Sequence, residues 1–92
     1  MIVRILGEGR YEVPEADLPA IEQLDDELVD ALERGDENEF NGALIDLIGQ
    51  VRHAGAALAP DDLRPSELAV PHEGATMAEV KALLAEEPGA DG

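Results

Sequence analysis

Two apolar stripes of helical period, separated by nothing but Gly35-Asp36, constrain this chain more than any other feature. Upstream, Leu18, Ile21, Leu24, Leu28, Ala31 and Leu32 recur at three- and four-residue intervals, which places them on one side of a helix over residues 16–34. Downstream, Phe40, Ala43, Leu44, Leu47, Ile48 and Val51 repeat the pattern over residues 37–54. Gly35 is the residue type that ends a helix in the left-handed conformation. Asp36, with Glu39 three residues on, is an N-terminal cap. A link this short forces the two helices antiparallel, as a helical hairpin. Proline is tolerated only in a helix's first turn, so Pro19 makes Asp17 the expected cap of helix one and Glu15-Ala16 a lead-in turn. Gly42 and Gly49 each weaken helix two by roughly 1 kcal/mol relative to alanine. Seven residues apart, they share a side that a neighbouring backbone could approach closely, and Gly55 stops the helix.

Ahead of the helices stands MIVRILGEGRYEVP, Met1–Pro14, two β-branched and aliphatic runs around Gly7-Glu8-Gly9. A three-residue loop at that position predicts strands near 2–6 and 10–13. Leu6 then faces Arg10, Ile5 faces Tyr11, Arg4 faces Glu12 and Val3 faces Val13. Val3, Ile5, Tyr11 and Val13 fall on one face, with an Arg4–Glu12 pair on the other. An isolated hairpin is marginal in water, so its apolar face must close one side of the helical pair. The stretch Ala56–Gly74 reads as irregular, broken by Pro60, Pro65 and Pro71, with residues 67–70 as a possible short edge strand beside the hairpin. A capping box, Thr76-Met-Ala-Glu79, opens a third helix over residues 77–87. The expected fold is α+β: one small domain over residues 1–87, then a frayed tail over 88–92. A free hairpin edge would also let a second copy of the chain pair there, giving a homodimer.

Charge narrows the functions open to this fold. The formal net charge is −16, from 22 acids against six Lys and Arg. It is uneven: Glu15–Glu39 holds eleven acids and one arginine, whereas Met1–Pro14 is neutral with two of each. Such a field repels nucleic acid and anionic lipid and favours a basic protein partner. A charge run is also, in the ordinary case, a solvated face, and adaptation to high salt would yield the same composition. The absence of cysteine removes disulfides, thiolate metal sites and thiol nucleophiles. No apolar run is long enough to span a bilayer, and Met1 leads straight into a strand pattern rather than a signal peptide, so a cytoplasmic location is expected.

Candidates for catalysis are thin. His53, beside Arg52 at the end of helix two, suits the negative end of the helix, and His72 sits in a Pro/Gly loop. A metal site joining these histidines to Asp61 or Asp62 lacks any close spacing to support it. The acid pairs Asp25-Asp26-Glu27 and Asp36-Glu37 lack the EF-hand loop pattern. Gly7-Glu8-Gly9 is no phosphate loop: it precedes a strand, and Glu8 would repel the ligand. Neither Ser66 nor Thr76 has a His–acid arrangement near it in sequence. No catalytic residue, cofactor or metal is expected, and elimination leaves a non-enzymatic interaction domain.

Several stretches taken in order resemble one family: MIVRILGEGRYEVP, LDDELV at Leu24–Val29, the Gly35-Asp36-Glu37 break, Val51-Arg52 leading to Gly55, RPSELAVP from Arg64, and TMAEVKALL at Thr76–Leu84. Together they resemble the PspA-associated domain, PspAA, over about residues 1–87. Pro19 and the two glycines of helix two depart from it. The resemblance implies an accessory protein of the phage-shock envelope-stress response, partnered by a PspA-like coiled-coil protein that remodels membrane. It would reach the membrane only through that partner. It carries no catalytic residues with it. The expected contact surface is the outward side of helix one: Glu22, Asp25, Asp26, Asp30 and Glu33. The contrary expectation is that these acids only keep the chain soluble and binding uses an apolar patch. Two other classes stay open: an acidic mimic of nucleic acid bound by a basic DNA-binding protein, and, more remotely, a small metal-dependent hydrolase.

Overall fold

In the computed structural model, which describes residues 1–85, a four-stranded sheet grows outward from the hairpin that opens the chain. Strands β1 (Ile2–Ile5) and β2 (Gly9–Glu12) pair antiparallel at its centre. After a 3-10 turn over Glu15–Asp17 come helices α1 (Leu18–Arg34) and α2 (Glu37–Ala54). Strand β3 (Ala56–Ala57) returns to β2, β4 (Leu68–Val70) joins β1, and α3 (Met77–Ala85) follows. The order across the sheet is β3-β2-β1-β4, with β4 parallel to β1.

The helical hairpin forms where the periodicity puts it. Gly35 lies at φ 73°, and the N–H groups of Gly35 and Asp36 donate to the carbonyls of Leu32 (3.2 Å) and Ala31 (3.0 Å). This is a Schellman closure. Asp36 accepts from the Glu39 N–H at 3.1 Å, half of a capping box; the Glu39 carboxylate turns instead to Arg34. Helix three has both halves: Thr76 N–H donates to Glu79 (3.0 Å) and Glu79 N–H to Thr76 Oγ1 (3.1 Å). The expected end of that helix at residue 87, and the tail over 88–92, lie outside the described residues. Asp17 precedes α1 as expected but makes no side-chain cap; the 3-10 turn, with Asp17 N–H on the Pro14 carbonyl at 3.0 Å, leads the chain in.

The hairpin departs from the expected register by two residues. The loop is Leu6-Gly7-Glu8, closed by Glu8 N–H on the Ile5 carbonyl at 3.0 Å with Gly7 at φ 81°. Val3 therefore faces Tyr11, and Arg4 faces Arg10 rather than Glu12. A shift of two conserves the faces, since side chains alternate with period two. Val3, Ile5 and Val13 still point at the helices and are buried, with Tyr11 partly so. Two arginines can stand opposite because a distant segment supplies partners to Arg10 and to Glu12 beside it. Arg10 donates to the carbonyls of Asp62 and Arg64, and Glu12 accepts from Arg64 at 3.1 Å.

That segment is a strap over residues 58–67. It leaves β3 at one edge of the sheet, crosses the face away from the helices, and enters β4 at the other edge. Leu58 N–H on the Arg10 carbonyl (2.9 Å) ties its start, and Glu67 N–H on the Ile2 carbonyl (2.8 Å) ties its end. Ile2, which alternation places on the strap side, is only 6 % exposed. The expected edge strand at 67–70 is β4, between prolines that suit an edge. Strand β3 has no counterpart in the sequence reading, which left Ala56–Gly74 irregular. Because β3 and β4 flank the hairpin, neither hairpin strand offers the open edge expected for a second copy; among the described residues the outer edges of the sheet are those of β3 and β4.

One aliphatic core lies between sheet and helices, with Phe40 as its aromatic centre and Ala75 and Val80 closing an end. No buried polar or charged side chain interrupts it among the described residues. Gly42 and Gly49 correct another expectation. No backbone approaches them; a Cβ at either would meet nothing within 4 Å. Gly42→Ala and Gly49→Ala are therefore expected each to stabilise the fold, by about 0.5–1 kcal/mol from helix propensity. Urea unfolding would show the midpoint rising in each variant and further in the pair.

Candidate functional site

Helix α1 carries its acids on the side that the hairpin leaves in water. Glu22, Asp26, Asp30 and Glu33 are exposed, at spacings of four, four and three. Val29, 42 % exposed, lies within this stripe. Asp25 is different. It flanks the buried Ile21, Leu28 and Leu32, is itself half-buried, and its carboxyl is pushed above the usual carboxylate range by burial first and by the Asp26 charge second. Its ionised form thus costs stability at neutral pH, a cost that fades as pH falls through the raised value toward the ordinary 3.8 and is gone below it. Asp30 is already engaged: Arg34 Nε donates to it at 3.0 Å and also reaches Glu39 and, at 3.8 Å, Asp36. Of the five acids expected at the contact surface, Glu22, Asp26 and Glu33 remain exposed without an ion pair among the described residues.

The helical hairpin adds acids that reading helix one alone missed. A groove of about 400 Å³ between α1 and α2 is lined by Glu27, Asp30, Glu39 and Asp46, with Arg34 and the bare backbone of Gly42. The signal was available. Antiparallel pairing across Gly35-Asp36 sets residues 27–34 of one helix against 39–46 of the other.

A second polar cluster fastens the hairpin tip. Arg52, in the last turn of α2, donates from Nε to both Glu8 oxygens (2.9 and 3.1 Å) and from Nη2 to Glu73 (3.1 Å). The Tyr11 hydroxyl donates to the same Glu8. Arg52 first and Tyr11 second hold the Glu8 carboxyl down at about 2. A depressed carboxylate contributes stability that is complete above its unfolded value, near 4.5, and is lost as pH falls through about 2. Arg52→Met is therefore expected to be less stable than the native chain at pH 7, with the gap closing between pH 4.5 and 2. The difference between the two chains' urea midpoints isolates this effect from the general loss of acid–acid repulsion on acidification.

The histidines do not converge with acids into a centre. His53 is exposed in the last turn of α2, and His72 Nε2 lies 3.8 Å from Glu79. Asp62 is taken by Arg64, whose Nη2 donates to it at 2.9 Å. Among the described residues no three His, Cys, Asp or Glu side chains are placed to hold a metal ion, and no helix is long and apolar enough to cross a membrane. The strongly shifted carboxyls belong to exposed ion pairs rather than to a desolvated cleft. The arrangement suits binding by surface charge and shape.

The family model described as PspA-associated protein matches residues 1–92, the whole chain. No curated protein and no solved structure matches. Matched from end to end, the chain belongs to the family of PspA-associated proteins, accessories of phage-shock protein A.

Proposed function

We propose that this chain is a non-enzymatic adaptor of a phage-shock envelope-stress response, working in the cytoplasm by direct contact with a PspA-like coiled-coil protein. It meets the membrane only through that partner. The observation that carries the reading is the acid stripe of α1. Glu22, Asp26 and Glu33 stand exposed and without ion pairs among the described residues, on a helix whose opposite side is anchored in the core. A basic helix laid along the stripe would pair with these carboxylates. It would also offset the cost of the ionised Asp25, which burial and the Asp26 charge impose in the free chain. Val29 within the stripe adds an apolar contact.

Binding of the PspA-like protein encoded in the same genome, measured by calorimetry from low to high salt, tests this. Contact through the stripe predicts affinity falling steeply with ionic strength. Combined replacement Glu22→Gln, Asp26→Asn, Glu33→Gln should weaken binding by about tenfold or more at low salt and flatten the salt dependence. Affinity insensitive to both salt and these replacements would refute docking through the acids.

A further inference from the structure

Leu63 is 93 % exposed. It does not hang on a loose loop. The residues on either side of it are tied down by one arginine: Arg10 donates to the carbonyls of both Asp62 and Arg64. The turn is fastened further by Arg64 N–H on Asp62 Oδ1 (3.0 Å), by the Arg64 guanidinium on Asp62 and Glu12, and by Asp62 N–H on the Ala59 carbonyl (3.0 Å). The strap thus holds a leucine out in water in one fixed position. Ordering costs that a binding loop ordinarily incurs on association are already met in the fold.

Beside Leu63 runs a groove of about 710 Å³ between the strap and the sheet's outer face, with Leu58, Pro60 and Pro65 among its walls. Arg4 lines the same groove, as do two acids, Glu8 and Asp62, which are already paired with Arg52 and Arg64. Arg4 is exposed and makes no ion pair or hydrogen bond among the described residues, in a chain where acids outnumber Lys and Arg 22 to six. Arg4, Arg10 and Arg64, half of all Lys and Arg, gather here, on the opposite side of the sheet from the helices. The molecule therefore presents two unlike surfaces: an acid stripe on α1, and an apolar knob beside an unpaired cation on the sheet.

We infer that the strap face is a second docking surface, and that its occupant is an acidic amphipathic segment of the partner. An apolar gap in that segment receives Leu63, and a carboxylate beside the gap pairs with Arg4. This rests on the adaptor reading, which supplies the partner; the charge of the groove supplies the chemistry of the segment. The acid stripe steers encounter with basic residues, and the strap face holds through a contact that salt does not dissolve.

The PspA-like protein of the same genome is the probe, titrated against the native chain, Leu63→Ser, Arg4→Gln and the α1 replacement described above, at low and high salt. Leu63→Ser is expected to weaken binding about tenfold at either salt. Arg4→Gln should weaken it by about three- to tenfold at low salt only. Both variants should melt with the native chain, because neither side chain is packed. If the native chain binds and Leu63→Ser binds equally well, the strap surface is refuted and the adaptor reading stands. If the native chain does not bind at all, the adaptor reading falls and takes the strap surface with it. If sedimentation shows a native dimer that Leu63→Ser converts to monomer, the knob serves a second copy of the chain and the inference is overturned.

Discussion

Phe40→Ala is expected to lower the unfolding free energy by about 3–5 kcal/mol, the range for emptying an aromatic site in a packed core. Phe40 is fully buried in the first turn of α2, and the rest of the buried core is aliphatic. The site has little freedom to collapse. Its backbone is pinned by Phe40 N–H on the Asp36 carbonyl at 2.9 Å, and the turn before it by the Gly35 closure. A chain of 92 residues has a net stability on the order of 5–10 kcal/mol, so the substitution removes about half of it. Thermal melts should show a fall in Tm on the order of 20 °C. Phe40→Leu, which retains most of the volume, should lose only about 1 kcal/mol. A loss below about 1 kcal/mol for Phe40→Ala would mean that the first turn of α2 is not seated in the packed core.

The helical hairpin was legible because its information is local. Periodicity, the Gly35 stop and the Asp36 cap each lie within a few residues of what they determine, and α2 runs over Glu37–Ala54 as the pattern requires. The faces of the β-hairpin were legible for the same reason. Its register was not. The choice between Arg4 opposite Glu12 and Arg4 opposite Arg10 is decided by carbonyls of Asp62 and Arg64, more than fifty residues away from Arg10. Strand β3 was illegible because Ala56 and Ala57 are both exposed and have no alternation to show; backbone pairing with Tyr11 and Glu12 makes them a strand. The acids of α1 could be placed by helical geometry, but not the half-burial of Asp25 or the capture of Asp30 by Arg34. Leu63, an apolar residue in the stretch that reads as irregular, stands in water, because the strap crosses the sheet face remote from the core.

Gly55→Ala is expected to destabilise by about 1–3 kcal/mol, the opposite sign from the same substitution at Gly42 and Gly49. Torsion is not the reason: at φ −92° and ψ 156° any residue is comfortable. Space is. A Cβ at Gly55 would lie 2.8 Å from the Tyr11 Cβ, 2.8 Å from the Val51 carbonyl oxygen and 3.3 Å from Val13 Cγ2. None of these atoms is the end of a flexible side chain, so the backbone itself must move. Gly55 is where the helical pair touches the sheet, and the next two residues are β3, paired to Glu12 and Tyr11. Pushing residue 55 away from β2 lifts β3, and with it the start of the strap, which hangs from the Arg10 carbonyl through Leu58. The damage should therefore spread along the strap. Hydrogen exchange would accelerate at Leu58 and Asp62 in Gly55→Ala while amides in the middle of α1 keep their protection relative to global unfolding. If protection at Leu58 and Asp62 fell only in step with global stability, the strap would not depend on the contact at Gly55. The close approach at that glycine ties the end of α2 to β2 and, through β3, to the start of the strap.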